Sequence, residues 1–312
     1  MSEPFRIKLP ATSANLGSGF DAAAIALDFH LEIEASPAAE FSIHATGRDA
    51  ERCGRLEDNL VLDLYRATLT REGRSIVPLA LAMKNEIPLG MGCGSSAAGR
   101  LAALALSVRF GQLGWSSERI LEEAAKLEGH PDNVAACWLG GFVAAAWEGD
   151  NVRAIRVSPP AAWRAIVILP IEPLPTVKAR AVLPESYSRA DVVANLQSAT
   201  LLGLAFAHAN ASLLRTAMAD RIHQPYRESI CPMLPRILPL AGQAAHISGA
   251  ALSGAGPAIL AILESDAVIE PASSAIYMAL KGLPPAELLV TRFQPTGAAE
   301  TNGLQHPAKL PA

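Results

Sequence analysis

The sequence predicts a chain of two domains, each mixing strands with helices, and three observations carry that prediction. Its 312 residues are about half hydrophobic, enough for two cores when single domains run about 100 to 200 residues. Ser158-Pro159-Pro160 interrupts the pattern and places a boundary between Val157 and Ala162, giving domains over 1–158 and 159–298. Polar and glycine-rich loops separate strand-like from helix-like runs, and such loops are where ligand contacts concentrate.

The first strand begins at Ile7 and is expected to stop at Pro10, giving way to the polar loop Ala11 to Asp21 before the apolar run Ala22 to Leu27. Asp21 reads either as a helix cap or as a ligand contact. Leu31 to Ala45 reads as strands by alternation, and Glu57-Asp58-Asn59 opens a helix running to about Arg71, which either acid or amide could cap.

The stretch Pro88-Leu-Gly-Met-Gly-Cys-Gly-Ser-Ser-Ala-Ala-Gly99 is neither helix nor strand. Gly90, Gly92 and Gly94 permit positive φ, so backbone N–H groups can converge and a ligand can approach closely. The Ala- and Leu-rich run that starts at Ser95 predicts a helix whose positive end points into the loop, an anion site suited to phosphate. A Walker-type loop is excluded, because serines follow Gly94 where lysine is required. Gly92-Cys93-Gly94-Ser95-Ser96-Ala97 matches the dinucleotide fingerprint in letters, but Pro88 separates it from any strand and no strand-end acid follows at the needed distance.

Ser116 or Ser117 caps the next helix, which Gly129 ends, with Glu122 and Glu123 on a face that solvent would ordinarily claim. His130, Asp132 and Asn133 then cluster around Pro131 at a helix start that Gly140 or Gly141 terminates. In the second half, Ala165 to Leu169 is an apolar strand, Thr176-Val-Lys-Ala-Arg180 and His223-Gln-Pro-Tyr-Arg227 each bring an arginine, and Leu252-Ser-Gly-Ala-Gly-Pro257 is a second glycine loop leading into a strand. No internal repeat is present. Ala298 to Ala312 has no periodicity and is expected to be a disordered tail over 299–312.

A formal charge of −4 and a pI near 6.0 leave no basic footprint for nucleic acid or an anionic membrane. Val192 to Leu214 is uncharged, but its Asn195, Gln197, His208 and Asn210 predict a buried helix with a polar stripe rather than a membrane span. Four scattered cysteines without a C-x-x-C pair fit reduced thiols in the cytoplasm, with Cys93 in the glycine loop the one of interest. The charged start, Met1 to Lys8, lacks the apolar run of an export signal.

Pro88 to Ala98 resembles the phosphate-binding motif P-x-x-x-G-L-G-S-S-A of the small-molecule kinase superfamily that contains galactokinase, homoserine kinase, mevalonate kinase and phosphomevalonate kinase, with Cys93 in place of leucine. Pro10 to Asp21 resembles the homoserine kinase pattern P-A-T-S-A-N-L-G-P-G-F-D at every position but Ser18, and Gly129 to Ala136 resembles G-H-P-D-N-V-A-P. Thr12 and Ser13 stand where the sugar and mevalonate kinases carry a lysine. The resemblance runs from about Ile7 to Gly297.

It implies an α+β fold, with a first domain like the second domain of ribosomal protein S5 and a ferredoxin-like second domain, ligands lying between them. It implies ATP-dependent phosphorylation of L-homoserine, with ATP at Asn59, Pro88, Gly90, Met91, Gly92, Cys93, Gly94, Ser95 and Ser96. Mg²⁺ would be held by Ser96 and Glu122, with Ser95 an alternative to Ser96; a hard ion needs only one or two protein oxygens when phosphate and water supply the rest. The amino acid would meet Asn15, Asp21, His130, Asn133, Thr176, Arg180, Arg227 and Gly254, with Asp21 suited to its ammonium and the arginines to its carboxylate. Asn133 fills the place of an aspartate in mevalonate kinases, and a carboxamide cannot take a proton. Asn133 and His130 would therefore orient the hydroxyl without a dedicated base, its proton leaving late. The partners expected are L-homoserine and ATP, a homodimer is allowed, and neither nucleic acid nor membrane is among them. Another kinase of the superfamily, or an inactive ATP and amino-acid sensor, are the rival readings.

Overall fold

The computed structural model describes residues 4–242 and 245–298, so the tail expected over 299–312 lies outside the described residues. The first half builds one six-stranded sheet from β1 (Phe5–Asn15), β2 (Gly19–Pro37), β3 (Ser42–Gly47), β4 (Leu79–Asn85), β5 (Phe142–Glu148) and β6 (Asn151–Val157). Its order is β3-β4-β2-β5-β6, with β1 paired to β2. Long β2 holds this sheet together by pairing with β1, β4 and β5 along different parts of its 19 residues.

Pro10 does not end the first strand. A register shift between Pro10 and Ala11 absorbs the residue, and β1 continues to Asn15. Proline lacks a ladder donor, and a bulge is the place where that lack costs least. The loop thus shrinks to Leu16-Gly17-Ser18, and Asp21 lies at the start of β2 rather than capping a helix.

Helices α1 (Ala50–Cys53), α2 (Leu60–Arg71), α3 (Ser95–Gly111), α4 (Ser117–Glu128) and α5 (Asp132–Leu139) complete this half. Buried α3 and α5 pack on β1 and β2, and α2 and α4 flank α3. The second half places β7 (Arg164–Pro170), β8 (Gly249–Leu252), β9 (Ile259–Leu263) and β10 (Ala286–Thr291) in an antiparallel sheet of order β10-β7-β9-β8. Between β7 and β8 run α6 (Thr176–Ala181), α7 (Arg189–Ala207), α8 (Leu214–Ala217), α9 (Gln224–Arg227) and α10 (Leu234–Ile237); α11 (Ile269–Ala279) joins β9 to β10. This is the ferredoxin-like βαββαβ arrangement.

The halves share a core. Trp163 and the inward face of β7 (Ala165, Val167, Leu169) join the first half's cluster, and Phe206 of α7 stacks on Phe142 of β5 with ring centroids 4.4 Å apart. Truncating Phe206 to alanine is worth about 3–5 kcal/mol by the usual cost of an aromatic cavity.

The part of α7 from Val192 onward, which carries no charge, differs from its expected burial. Ser198, Leu202, Ala205 and Phe206 face inward, whereas Val192, Val193, Leu196 and Leu204 are exposed. It is the one described helix long and apolar enough to cross a membrane, although only 17% of its apolar window is buried. The Asn195 side chain donates to the Ser18 carbonyl and accepts from the Arg221 amide, so the polar stripe serves as a clamp between neighbouring loops.

Candidate active site

The end of β1 and two glycine loops, distant in sequence, are stitched edge to edge by main-chain bonds. The Thr12 amide donates to the Cys93 carbonyl (3.1 Å), Ala258 to Met91 (3.0 Å), and Gly254 to Ala14 (3.0 Å). Ser253 Oγ adds a bond to the Gly92 carbonyl (2.7 Å). This contact explains the glycines: at Gly92 an added Cβ would strike the Ser253 and Gly256 carbonyls, and at Gly94 it would strike the Thr12 hydroxyl. Both also hold positive φ, 83° and 73°, where a side chain is strained.

Alternation along the loop separates two tasks. Gly90, Gly92, Gly94, Ser95 and Ser96 line a cleft of about 100 Å³, while Pro88, Met91 and Cys93 are buried behind it. The Cys93 thiol is pushed up to about 12 by burial, so it packs rather than reacts. Helix α3 starts at Ser95 with Gly94 as N-cap, aiming its free amides and positive end at the cleft. An adjoining cavity of about 320 Å³ shares Gly90, Ser95 and Ser96 and is walled by Leu31, Leu60, Val61, Met83, Ile87 and Leu89, an apolar surface for a base.

Asn59 also borders that cavity, but its amide is committed elsewhere. Its Oδ1 accepts from the Val61 and Leu62 amides, and its Nδ2 donates to the Cys53 and Arg55 carbonyls at 3.0 Å each. Asn59 therefore stands beside the expected base position as the cap of α2 and part of the cavity wall, its amide already in use.

At the centre stand Asn133 and His130. The Thr12 hydroxyl donates to Asn133 Oδ1 (2.7 Å), leaving the NH₂ of the carboxamide as its free end. His130 Nδ1 lies 2.6 Å from Asp132 Oδ1. An ionised carboxylate only accepts, so Nδ1 carries the proton and Nε2 is left as an acceptor. Asp132 is 1% exposed, and its Oδ2 is buried without a partner among the described residues. Ligand atoms of Asp21, His130 and Asp132 lie within 4.8 Å of one another, a negative spot that suits a small cation.

The far wall is built from both halves. Asn15 and Asp21 adopt positive φ, 69° and 53°, and Asn15 ties them together: its Oδ1 accepts from the Asp21 amide (3.0 Å) and its Nδ2 donates to the Gly254 carbonyl (2.8 Å). Arg180 grips Asp21 with two bonds of 2.7 and 3.1 Å. Thr176, the first residue of α6, lines the cleft beside it. Arg227 is 1% exposed and, among the described residues, donates to the carbonyls of Ala179 and Gly254 and to His223 Nδ1. No carboxylate pairs with it among the described residues. Burial first, then the neighbouring Arg180 charge, lowers its pKa, and the more distant Asp21 and Asp220 carboxylates only partly oppose that.

Glu122 is not at the site. Ser96 Oγ instead donates to Glu128 Oε2 (3.2 Å), and Arg100 Nη1 donates to both of these atoms. Six residues along a helix displace a side chain by about 9 Å and turn it about 120°, so Glu122 and Glu128 cannot serve the same spot. Glu123 pairs with Arg71 at 2.8 Å. Sequence reasoning passed over Thr12 as a donor, Arg100 and Glu128; the dense E-G-H-P-D-N run around Glu128 was the available signal.

Comparison with known proteins bears on the family and the fold. Residues 59–141 match the family model of the GHMP kinases N terminal domain, and residues 204–278 match that of the GHMP kinases C terminal. The homoserine kinase of Solibacter usitatus is 46% identical over 83% of this chain and 85% of its own, and that of Deinococcus radiodurans is 38% identical over 83% and 84%. Among solved structures, homoserine kinase from Cytophaga hutchinsonii superposes with a TM-score of 0.79 at 25% identity, covering 95% of this chain and 97% of that one. L. major mevalonate kinase, solved in complex with R-mevalonate, shares the fold with a TM-score of 0.67 at 15% identity, covering 94% of this chain and 99% of its own.

Proposed function

This chain belongs to the GHMP kinase family, and from that premise we propose that it transfers the terminal phosphoryl group of ATP to the side-chain hydroxyl of L-homoserine, giving O-phospho-L-homoserine for threonine synthesis. One observation carries the choice of substrate. Arg227 is buried in the cleft wall without a carboxylate partner, and a buried charge in that state is costly until an anion reaches it. An amino acid supplies the anion, and its ammonium matches the Asp21 and Asp132 carboxylates on the same cleft. Neither a sugar nor mevalonate carries both charges.

The residues then divide the work. Amides of the Gly90–Ser96 loop and the start of α3 cradle the polyphosphate, where fixed donors need no reorganisation as charge shifts. Asn133 donates its NH₂ to the acceptor oxygen, and His130 Nε2 accepts the hydroxyl's hydrogen bond. Together they aim the oxygen at phosphorus, and the proton leaves late, to a phosphoryl oxygen or water. Ser96 and Glu128 offer two hard oxygens, and a cationic guanidinium already rests against both, so the donor set fits Mg²⁺. When bound, the ion would neutralise phosphate charge. The four free thiols and the slight negative charge support a cytoplasmic enzyme.

The test is ADP release with Mg·ATP and L-homoserine, mevalonate, galactose or L-serine. Turnover with L-homoserine well above the others is expected. Preference for mevalonate or galactose would point to another activity of the family, and binding of ATP and L-homoserine without ADP release would indicate a sensor.

A further inference from the structure

We propose that Arg100 is a resident cation of the metal position, holding Ser96 and Glu128 while the nucleotide site is empty, so that a divalent ion enters together with the nucleotide rather than before it. The proposal rests on the reading of Ser96 and Glu128 as the metal's protein oxygens.

Arg100 lies four residues beyond Ser96 on α3, hence one turn along the same face. Its Nη1 donates to Ser96 Oγ and to Glu128 Oε2, and those two oxygens are 3.2 Å apart. Adjacent ligands of an octahedral Mg²⁺ with bonds of 2.0–2.1 Å stand about 2.9 Å apart, so the oxygens are already spaced for one ion. Glu128 is the only carboxylate paired with Arg100 among the described residues, and the side chains are 23% and 13% exposed. Water screens such a pair poorly.

Because the one nitrogen Nη1 touches both oxygens, it occupies the point where an ion bound to both would sit. A divalent ion arriving alone must strip Arg100 of its counter-charge and leave a half-buried cation unpaired. A polyphosphate on the neighbouring loop changes that balance, because it offers the displaced guanidinium new anionic oxygens. Metal and nucleotide affinity are thereby coupled through one side chain.

Mn²⁺ serves as the probe, its binding followed by electron paramagnetic resonance on the purified protein without nucleotide, and with ADP. Arg100→Met, which keeps the length and loses the charge, is expected to bind Mn²⁺ about tenfold more tightly than the native protein without nucleotide, and this advantage should shrink with ADP. In Arg100→Met with Glu128→Gln, the gained affinity should vanish. Equal Mn²⁺ affinity in the native protein and Arg100→Met, with binding lost in the double variant, would overturn the role of Arg100 and leave the metal ligands standing. Undiminished binding in the double variant would remove Glu128 as a ligand and the proposal with it. Thermal unfolding of each variant establishes that it is folded.

Discussion

The two ends of the cleft hold their arginines in opposite ways. Arg227, at the amino-acid end, is 1% exposed and fixed by two carbonyls and an imidazole, with no carboxylate paired to it among the described residues. Arg100, at the phosphate end, is partly exposed and already neutralised by Glu128. A guanidinium fixed by carbonyls has no counter-charge of its own and waits for an anion, whereas Arg100 must move before an ion can take the place between Ser96 and Glu128. Rigidity at one end therefore selects the substrate, and exchange at the other couples nucleotide to metal. Asp21 and Arg180 sit between these extremes, paired with each other at 2.7 Å and both about one-third exposed.

The largest effect should come from the rigid end. Arg227→Ala is expected to cost about 2 to 5 kcal/mol of L-homoserine affinity, read as a rise in its KM with the KM for ATP unchanged. Arg180→Ala should cost less, because its charge is solvated and already compensated by Asp21. Steady-state kinetics on both variants, with thermal unfolding as the control for folding, decides the matter. A larger loss at Arg180 would invert the comparison.

At the exchanging end, Glu128→Gln should lower kcat/KM for Mg·ATP by about 100-fold, the scale of losing one fixed electrostatic contact to the transferring group. Glu122→Gln should leave it near the native value. Matching losses at the two positions would show that Glu128 has no special place beside Ser96.

These two ends also differ in how far sequence reveals them. Loop residues Gly90 to Ser96, and the pairs His130 with Asn133 and Arg180 with Arg227, were legible because each lies in a short contiguous motif or carries a charge that needs a partner. Glu128 was not, because neighbouring glutamates on one helix are told apart only by the face that packs against α3. Thr12 meets Asn133 across 121 positions, and no local pattern encodes that. Composition likewise placed α7 inside the protein, yet its uncharged run from Val192, with apolar residues all round, leaves no periodicity to say which face is buried. The strand through Pro10 escaped for a related reason: a bulge is a property of two paired strands, not of one. The βαββαβ order of the second half, by contrast, followed from family resemblance rather than from residues alone.

A smaller effect is expected where Thr12 holds Asn133. Thr12→Val keeps the shape and removes the hydroxyl, leaving Asn133 Oδ1 unpaired and the carboxamide free to rotate. Such a loss is worth about 1 to 3 kcal/mol when buried, and it should fall on kcat, by about tenfold, more than on either KM. A loss confined to KM would make Thr12 a binding residue and draw the chemistry nearer the amino-acid end.

The smallest effect concerns pH, through His223. Its Nε2–H donates to the Gly17 carbonyl (2.9 Å) and its Nδ1 accepts from Arg227 (3.0 Å), so both nitrogens are in use and the ring must be neutral. Burial lowers its pKa from 6.5, with Arg227 adding to the shift and the Asp220 and Asp21 carboxylates opposing it. The unfolded chain therefore binds a proton near 6.5 that the folded chain refuses. That preference favours folding fully above pH 6.5, and it is lost progressively as pH falls toward the lower folded value. Urea unfolding between about pH 7.5 and about pH 5.5 should show native stability dropping more than that of His223→Gln, whose amide can donate and accept without titrating. Over the same range, protonation would take away an acceptor from Arg227, so the KM for L-homoserine should rise while the KM for ATP holds. Parallel rises in the two constants would mean that acid loosens both ends alike, and that the rigid end owes nothing to its imidazole.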